Sequence, residues 1–592
     1  MENGSYQKLM DNLLQCNQYY MEMANKQGQL GLQAIMQQNF TDLSHALEKS
    51  AAQPQALLEQ QVQWWQSQLT LFQQTLLRHS GEEVEPLIQP ERGDKRFNDE
   101  RWQMPWFDYL KQSYLMSAKQ IQQSIDKIEG LDDATRERLR FFTRQTVNAM
   151  APSNFIASNP ELLQLTLESG GDNLNKGLTQ LNQDMLRSVG SLNISITDND
   201  SYQVGRDLAV TPGKVIQQTP LYELIQYQPT TAKVAKKPLL VVPPFVNKYY
   251  ILDLRPKNSM VKYLVEQGHT VFMISWVNPD ERHKDLDFED YVVDGVLQAL
   301  EAVHQATGVT DIHSAGYCIG GTLLACAMAY LAANPAKAKI ASATFFTTIL
   351  DFSQPGELGA FINDTVVSAL EQQNRQKGIM DGRQLAVAFS LLKENNLYWN
   401  YYVDGYLKGK SPVAFDILYW NCDNTNVSGL NHNTMLRRFY LNNELMKPNQ
   451  FTVRSCGIDL SAIKSPTLFV STIDDHIALW QGNYLGMQAM GGDKTFILGE
   501  SGHVAGIVNP PGGKYNHYIG SGSSTLSPEA WLAQTEIKSG SWWVSWMQWL
   551  DKLNTDEPVN ARKLDKALAD APGQYVLQRL ANKTDSQTED VA

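Results

Sequence analysis

The sequence predicts an α/β fold, a parallel sheet covered on both faces by helices, preceded by a mostly helical N-terminal domain. Three observations carry that expectation. Helical periodicity runs without strand-like segments up to about residue 190, short β-branched apolar runs alternate with helical stretches from residue 238 onward, and a strand, sharp turn and helix are built around Cys318. The chain has 592 residues, 43% hydrophobic and 10% aromatic, enough apolar material to pack several units rather than a disordered scaffold.

Residues 1–200 read as the helical domain. Leu43, Leu47, Leu57, Val62, Trp65, Leu69, Phe72 and Leu76 recur at spacings of three and four, the signature of amphipathic helices. Pro86 to Asp94 interrupts the pattern, which resumes through Tyr109 to Ile128 and Arg136 to Met150 and stops at Pro152-Ser153-Asn154. Residues 201–592 read as the α/β domain. Its strands are expected at Pro238–Val242, Thr270–Trp276, Asp311–Gly316, Ala341–Thr347, Pro466–Ser471 and Thr495–Leu498, near-continuous apolar runs of the kind buried on both faces of a parallel sheet. Between the fourth and fifth lies an insertion, about 351–464, too long for a strand-to-helix connection. It is rich in aromatics (Tyr398, Trp399, Tyr401, Tyr402, Tyr406, Trp420) and is read as a cap over a site, an ordinary packed insertion being the plainer alternative. Near the end, Trp542, Trp543, Trp546 and Trp549 fall at helical spacing, a stripe read as core packing rather than a membrane anchor. The polar stretch Thr584 to Ala592 is expected to be disordered.

A net charge of −13 disfavours a sequence-independent grip on nucleic acid. The first residues lack a basic and an apolar region of the secretory type, and no run of about 18 apolar residues occurs, so a soluble, cytoplasmic protein without a transmembrane segment is expected. Five cysteines, Cys16, Cys318, Cys326, Cys422 and Cys456, form no C-x-x-C pair. They read as reduced thiols rather than a disulfide framework or a metal site; no metal is expected.

Gly316-Tyr317-Cys318-Ile319-Gly320-Gly321 follows a strand and opens a helix, the context of a nucleophile elbow, which makes the fold an α/β-hydrolase fold. Glycines at −2 and +2 let the strained turn approach its neighbours, and the helix N-terminus favours a thiolate. With 39 glycines in the chain, that flanking of any of five cysteines has a chance expectation of about 0.02. The fold supplies the partners in the order nucleophile, acid, histidine. Asp474 or Asp475, after the Thr467–Ser471 run, is the acid, and His503, after Thr495–Leu498, is the base; His476 reads as a loop or pocket residue and His313 as a satisfied core histidine. The oxyanion hole is expected from the backbone N–H of Ile319 and of Phe245 or Val246, since Pro243 and Pro244 have none to give. A cysteine acyl-enzyme is itself a thioester and keeps its acyl group activated for transfer to an alcohol. That chemistry favours an acyltransferase over a cysteine-dependent thioesterase or esterase of the same fold, and an aromatic cap suits exclusion of water. A non-catalytic coat or interaction protein that binds an apolar surface through the Gln-rich N-terminal helices and the tryptophan stripe is the rival of another class, opposed by the intact Cys, Asp, His order.

Gly-Tyr-Cys-Ile-Gly-Gly, Val242-Pro-Pro-Phe-Val-Asn-Lys-Tyr-Tyr-Ile-Leu-Asp253, Asp474-Asp475-His476-Ile477 and Ser501-Gly-His503-Val-Ala-Gly-Ile-Val-Asn-Pro-Pro together resemble the polyhydroxyalkanoate synthases, as do Arg140-Phe-Phe-Thr-Arg-Gln and Ala151-Pro-Ser-Asn-Phe. The resemblance spans roughly Pro86 to Leu550 and is of the class I type. It implies (R)-3-hydroxyacyl-CoA as substrate, short acyl chains of about three to five carbons, coenzyme A and polyester as products, no cofactor, and a homodimer attached to a polyester granule. It also implies a granule, partner or dimer role for the helical domain. Motif by motif, it places the nucleophile on Cys318, the acid on Asp475 and the histidine on His503; of the two candidates for second oxyanion donor, Val246 is the one taken.

Overall fold

A computed structural model describes residues 30–91, 93–188, 192–522, 526–564 and 567–580; Cys16 and the polar tail at 584–592 lie outside them. The chain divides into two compact units. One holds the residues up to Asp198 with Gln384–Val413 from the insertion, and the other holds Asn199–Arg383 with Ala414–Leu580.

In the first unit the predicted periodicity becomes α1 (Leu30–Ala51), α2 (Pro54–His79), α3 (Pro105–Asp126), α4 (Asp133–Ala149), α5 (Pro160–Glu168) and α6 (Asp172–Arg187). Starts are capped as local chemistry dictates: Pro54, Pro105 and Pro160 begin their helices, Asp132 accepts the Thr135 N–H, and Asn159 accepts those of Glu161 and Leu162. The apolar residues by which the sequence marked α1 and α2 are exposed, while Ala46 and Leu71 are buried. Leu47, Trp65 and Leu69 are 62%, 61% and 58% exposed, while Asp42 on α1 is buried in a bidentate ion pair with Arg138 of α4. From the insertion, Glu394 accepts from Arg144, Gln145 and Asn148, and the Tyr406 hydroxyl donates to Asp184 at 2.6 Å.

The second unit is built on a mixed sheet. Its strands are β1 (Gly213–Gln218), β2 (Tyr222–Tyr227), β3 (Leu239–Val242), β4 (Val271–Trp276), β5 (Asp311–Tyr317), β6 (Lys339–Phe346), β7 (Thr467–Thr472), β8 (Lys494–Gly499), β9 (His517–Ser521), β10 (Ile537–Lys538) and β11 (Ala569–Asp570), in spatial order β10-β9-β8-β7-β6-β5-β3-β4-β2-β1-β11. The six predicted runs form the central β8-β7-β6-β5-β3-β4, all parallel. Antiparallel strands extend it on both sides, β2, β1 and β11 beyond β4 and β9 and β10 beyond β8, which the sequence reading did not anticipate.

The chain runs from β3 out to β4 and then back past β3 to β5, so the order reverses between β3 and β5. In such sheets the crevice at the carboxyl ends of the strands flanking the reversal is where ligands bind. Cys318 follows β5 directly and leads into α7 (Ile319–Ala333), which is buried from Gly320 to Ala329. Within α8 (Trp542–Leu553), Trp542, Trp543 and Trp546 are fully buried against the sheet, with Phe346 centred 5.2 and 5.0 Å from Trp542 and Trp546. Among the described residues, no helix is long and apolar enough to cross a membrane.

Candidate active site

Cys318 sits between β5 and α7 at φ 52° and ψ −126°, a left-handed conformation that costs a non-glycine residue about 1–3 kcal/mol. The surroundings hold it there. Its N–H donates to the Phe346 carbonyl and its carbonyl accepts the Gly321 N–H, both at 2.9 Å. A Cβ at Gly316 would overlap Gly321 backbone, and one at Gly320 would overlap the Val242 and Pro243 carbonyls, so glycine at each position is a steric requirement. The thiol is half-buried at the mouth of the sheet, whereas Cys326 lies fully buried in α7, its thiol pushed far up by desolvation.

The loops after β7 and β8 bring two further candidates to the same place. His503 Nδ1 lies 2.7 Å from Asp475 Oδ2, and both residues are buried. The other oxygen, Asp475 Oδ1, accepts the N–H groups of Ile477 and Ala478 at 2.9 Å each, so this carboxylate is spanned by three partners. Asp474 is exposed and only its backbone is engaged, with Ser501, which separates two aspartates that their order in the chain could not. Burial alone would lower the His503 pKa, but the Asp475 carboxylate and the neighbouring Cys318 sulfur outweigh it and raise it to about 10. The imidazole is therefore a strong proton acceptor, fixed on one nitrogen by Asp475 and adjoining the thiol.

That shift has a stability consequence of definite sign. A histidine whose pKa rises on folding from 6.5 to about 10 contributes stability that is complete below about pH 6.5 and is lost as the pH climbs towards 10. His503→Gln is thus expected to lower the unfolding midpoint most near pH 6 and progressively less towards pH 10. Thermal unfolding of both proteins across that range measures it, and a gap independent of pH would contradict the assignment of the shift.

The segment after β3 carries Phe245 and Val246, and α7 opens with Ile319, the expected oxyanion donors. Among the described residues no hydrogen bond uses the N–H of Ile319, Phe245 or Val246. The Phe245 side chain is buried against Tyr291, ring centroids 4.7 Å apart, while Val246 is half-exposed. His313 is the core histidine expected: Nδ1 lies 2.7 Å from Ser342 Oγ and Nε2 3.0 Å from Asn554 Oδ1. Among the described residues no three or more His, Cys, Asp or Glu side chains are grouped to hold a metal ion.

Several supporting residues escaped the sequence reading. The Tyr317 ring stacks on His503 at 5.7 Å, and its hydroxyl donates to the His503 carbonyl at 3.2 Å. Trp542 and Trp543 donate their indole N–H groups to the carbonyls of Gly506 and Ile507, both at 2.9 Å, so the core stripe also braces the His503 loop. Asn483 donates to Ser471 Oγ and to the Ala478 carbonyl, tying β7 to the turn that orients Asp475. From the insertion, Tyr440 has its phenol pushed up by burial and by the neighbouring Cys318 sulfur. A tyrosine one position before the elbow cysteine was a visible signal; the others depend on partners distant in the chain.

Comparison with known proteins agrees with this architecture over most of its length. Residues 93–264 match the family described as "Poly-beta-hydroxybutyrate polymerase (PhaC) N-terminus", and residues 237–510 match "alpha/beta hydrolase fold". The chain is 43% identical over 540 residues to the poly(3-hydroxyalkanoate) polymerase of Methylorubrum extorquens, covering 90% of this chain and 89% of that protein. It is 40% identical over 542 residues to the poly(3-hydroxyalkanoate) polymerase subunit PhaC of Rhizobium meliloti (strain 1021), covering 91% and 88%. To the corresponding subunit of Cupriavidus necator it is 39% identical over 496 residues, covering 82% and 83%. With likeness at that level across nearly the full length of both partners, the chain belongs to the poly(3-hydroxyalkanoate) polymerase family.

Proposed function

We propose that this protein polymerises (R)-3-hydroxyacyl-CoA into polyhydroxyalkanoate with release of coenzyme A, through a covalent acyl-enzyme on Cys318. The observation that carries the reading is the buried His503–Asp475 pair adjoining a strained cysteine at the switch point of an α/β-hydrolase sheet, in a chain of the polymerase family.

His503 takes the proton of Cys318, and the sulfur attacks the substrate's thioester carbonyl. The oxyanion is held by the Ile319 and Val246 N–H groups, and the carbon–sulfur bond to coenzyme A breaks as His503 returns the proton to the departing thiolate. A 3-hydroxyl group then gives its proton to His503 and attacks the Cys318 thioester, forming the ester and freeing the thiol. Exchange of one thioester for another is nearly balanced in energy, so the acyl group remains activated until the hydroxyl arrives. The insertion serves as a cap that keeps water from that intermediate. Attachment of α1 and α2 to a polyester granule, or to a second copy in a homodimer, is supported by the exposed Met36, Phe40, Leu47, Trp65, Leu69 and Phe72.

Incubation with (R)-3-hydroxybutyryl-CoA tests the reading, following thiol release and analysing the acyl product. Insoluble polyester is expected; release of free 3-hydroxybutyrate alone would make the protein a thioesterase, and no release would remove the substrate assignment.

A further inference from the structure

The loop after β3 is fastened along its length to one stretch of the insertion. Thr425 Oγ1 donates to the Phe245 carbonyl at 3.4 Å, Trp420 Nε1 to the Lys248 carbonyl at 2.7 Å, and the Tyr250 hydroxyl to Asp423 Oδ2 at 2.9 Å. Lys248 Nζ lies 2.7 Å from Asp423 Oδ1, with only 3% and 5% of the two side chains exposed. Beyond them, Arg255 and Asn258 both donate to Asp416 Oδ2, at 2.7 and 3.0 Å. Val246 therefore sits between two residues, Phe245 and Lys248, whose backbones are each pinned by a side chain from 420–425. On the other side, Trp276 Nε1 donates to the Pro243 carbonyl at 2.8 Å, and α7 packs so closely on Val242 and Pro243 that Gly320 has no room for a Cβ.

Burying a lysine and an aspartate together is a poor way to gain stability, because the cost of stripping water from both charges cancels most of their attraction. An apolar pair would fill the same space. What the ion pair adds is direction: it fixes Lys248 laterally while Trp420 fixes its carbonyl, and the peptide two residues upstream has little freedom left.

We propose that Lys248 and Asp423 are positioning residues for acyl transfer, acting through Val246: their buried ion pair, with Trp420 and Thr425, sets the Val246 N–H as an oxyanion donor and makes this stretch of the insertion a support of the oxyanion hole. The proposal rests on the reading that Cys318 is acylated and that Val246 donates. An oxyanion donor works by preorganisation, and losing one costs about 10²- to 10³-fold in turnover. Loosening one costs part of that.

Two reactions of the same sulfur separate this role from a general structural one. Iodoacetamide alkylates a thiol by direct displacement at a saturated carbon and forms no oxyanion, whereas release of coenzyme A from (R)-3-hydroxybutyryl-CoA requires one. In the full chain, Lys248→Met and Asp423→Asn are expected to lower kcat for coenzyme A release by roughly 10- to 100-fold. Both KM and the alkylation rate of Cys318, read by mass spectrometry of its peptide, are expected to stay within about 3-fold of wild type. Trp420→Phe, which removes one hydrogen bond to a backbone carbonyl, should show the same split at about 5-fold and carries the test if the ion-pair variants do not fold. Unchanged release, or alkylation falling in step with release, would overturn the proposal. Failure of the underlying reading shows elsewhere, as wild-type protein releasing no coenzyme A or Cys318→Ala continuing to release it.

Discussion

Cys318→Ala is expected to abolish coenzyme A release and polymer formation while leaving the fold intact. The substitution removes one sulfur from a half-buried position, so its stability cost should stay within about 1 kcal/mol. Alanine must adopt the same φ of 52°, and it does so because Gly316, Gly320 and Gly321 still allow β5 and α7 their close approach. Cys326 cannot substitute for it, being sealed within α7. Thiol release and insoluble product measured against wild type at equal concentration check the expectation, and polymer made at the wild-type rate would refute the assignment of the nucleophile.

The second large effect is expected of Asp475→Asn, a fall in kcat of about 10³- to 10⁴-fold. The carboxylate meets His503 with one oxygen and the Ile477 and Ala478 N–H groups with the other. An asparagine offers only one acceptor oxygen. If that oxygen stays with the two N–H donors, its NH₂ faces His503 Nδ1, which must then accept; the proton moves to the other nitrogen, the one needed to receive the proton of Cys318. The charge that helps to raise the His503 pKa is lost as well. Single-turnover acylation and steady-state elongation, measured separately, show how far Asp475 acts through the imidazole alone. Equal losses in the two steps assign it to His503, and a larger loss in elongation adds a direct role on the attacking hydroxyl. Retention of more than about a tenth of wild-type kcat in both steps would refute the triad reading.

The six central strands were legible because each is a near-continuous apolar run, which is what burial on both faces requires. The antiparallel flank was not, and β2 shows why. Its residues Tyr222-Glu-Leu-Ile-Gln-Tyr227 are all buried, yet Glu223 and Gln226 break the apolar pattern. Glu223 is tolerated because the Gln574 and Tyr575 N–H groups donate to its carboxylate, partners some 350 residues away that no local window reveals. Helical periodicity placed α1 and α2, but it reports that one face is apolar, not that the face is covered. At the candidate site, Cys318 and His503 were marked by glycine-flanked turns after apolar runs. The choice between Asp474 and Asp475 turned on which of two adjacent side chains points inward, a matter of turn geometry rather than of order. The indole N–H groups that brace the His503 loop were hidden for another reason, since a tryptophan stripe reads as packing whether or not its nitrogens find carbonyls.

The ends of the sheet bear on how the molecule keeps to itself. An open row of peptide groups at a sheet margin is a template on which another chain can add. Here both outermost strands, β10 and β11, are two residues long and each carries a charge, Lys538 on one and Asp570 on the other, the latter paired with Lys214 of β1. So short and charged a rim leaves almost nothing to extend, so crowding against neighbours favours contacts through side chains over strand-by-strand coalescence.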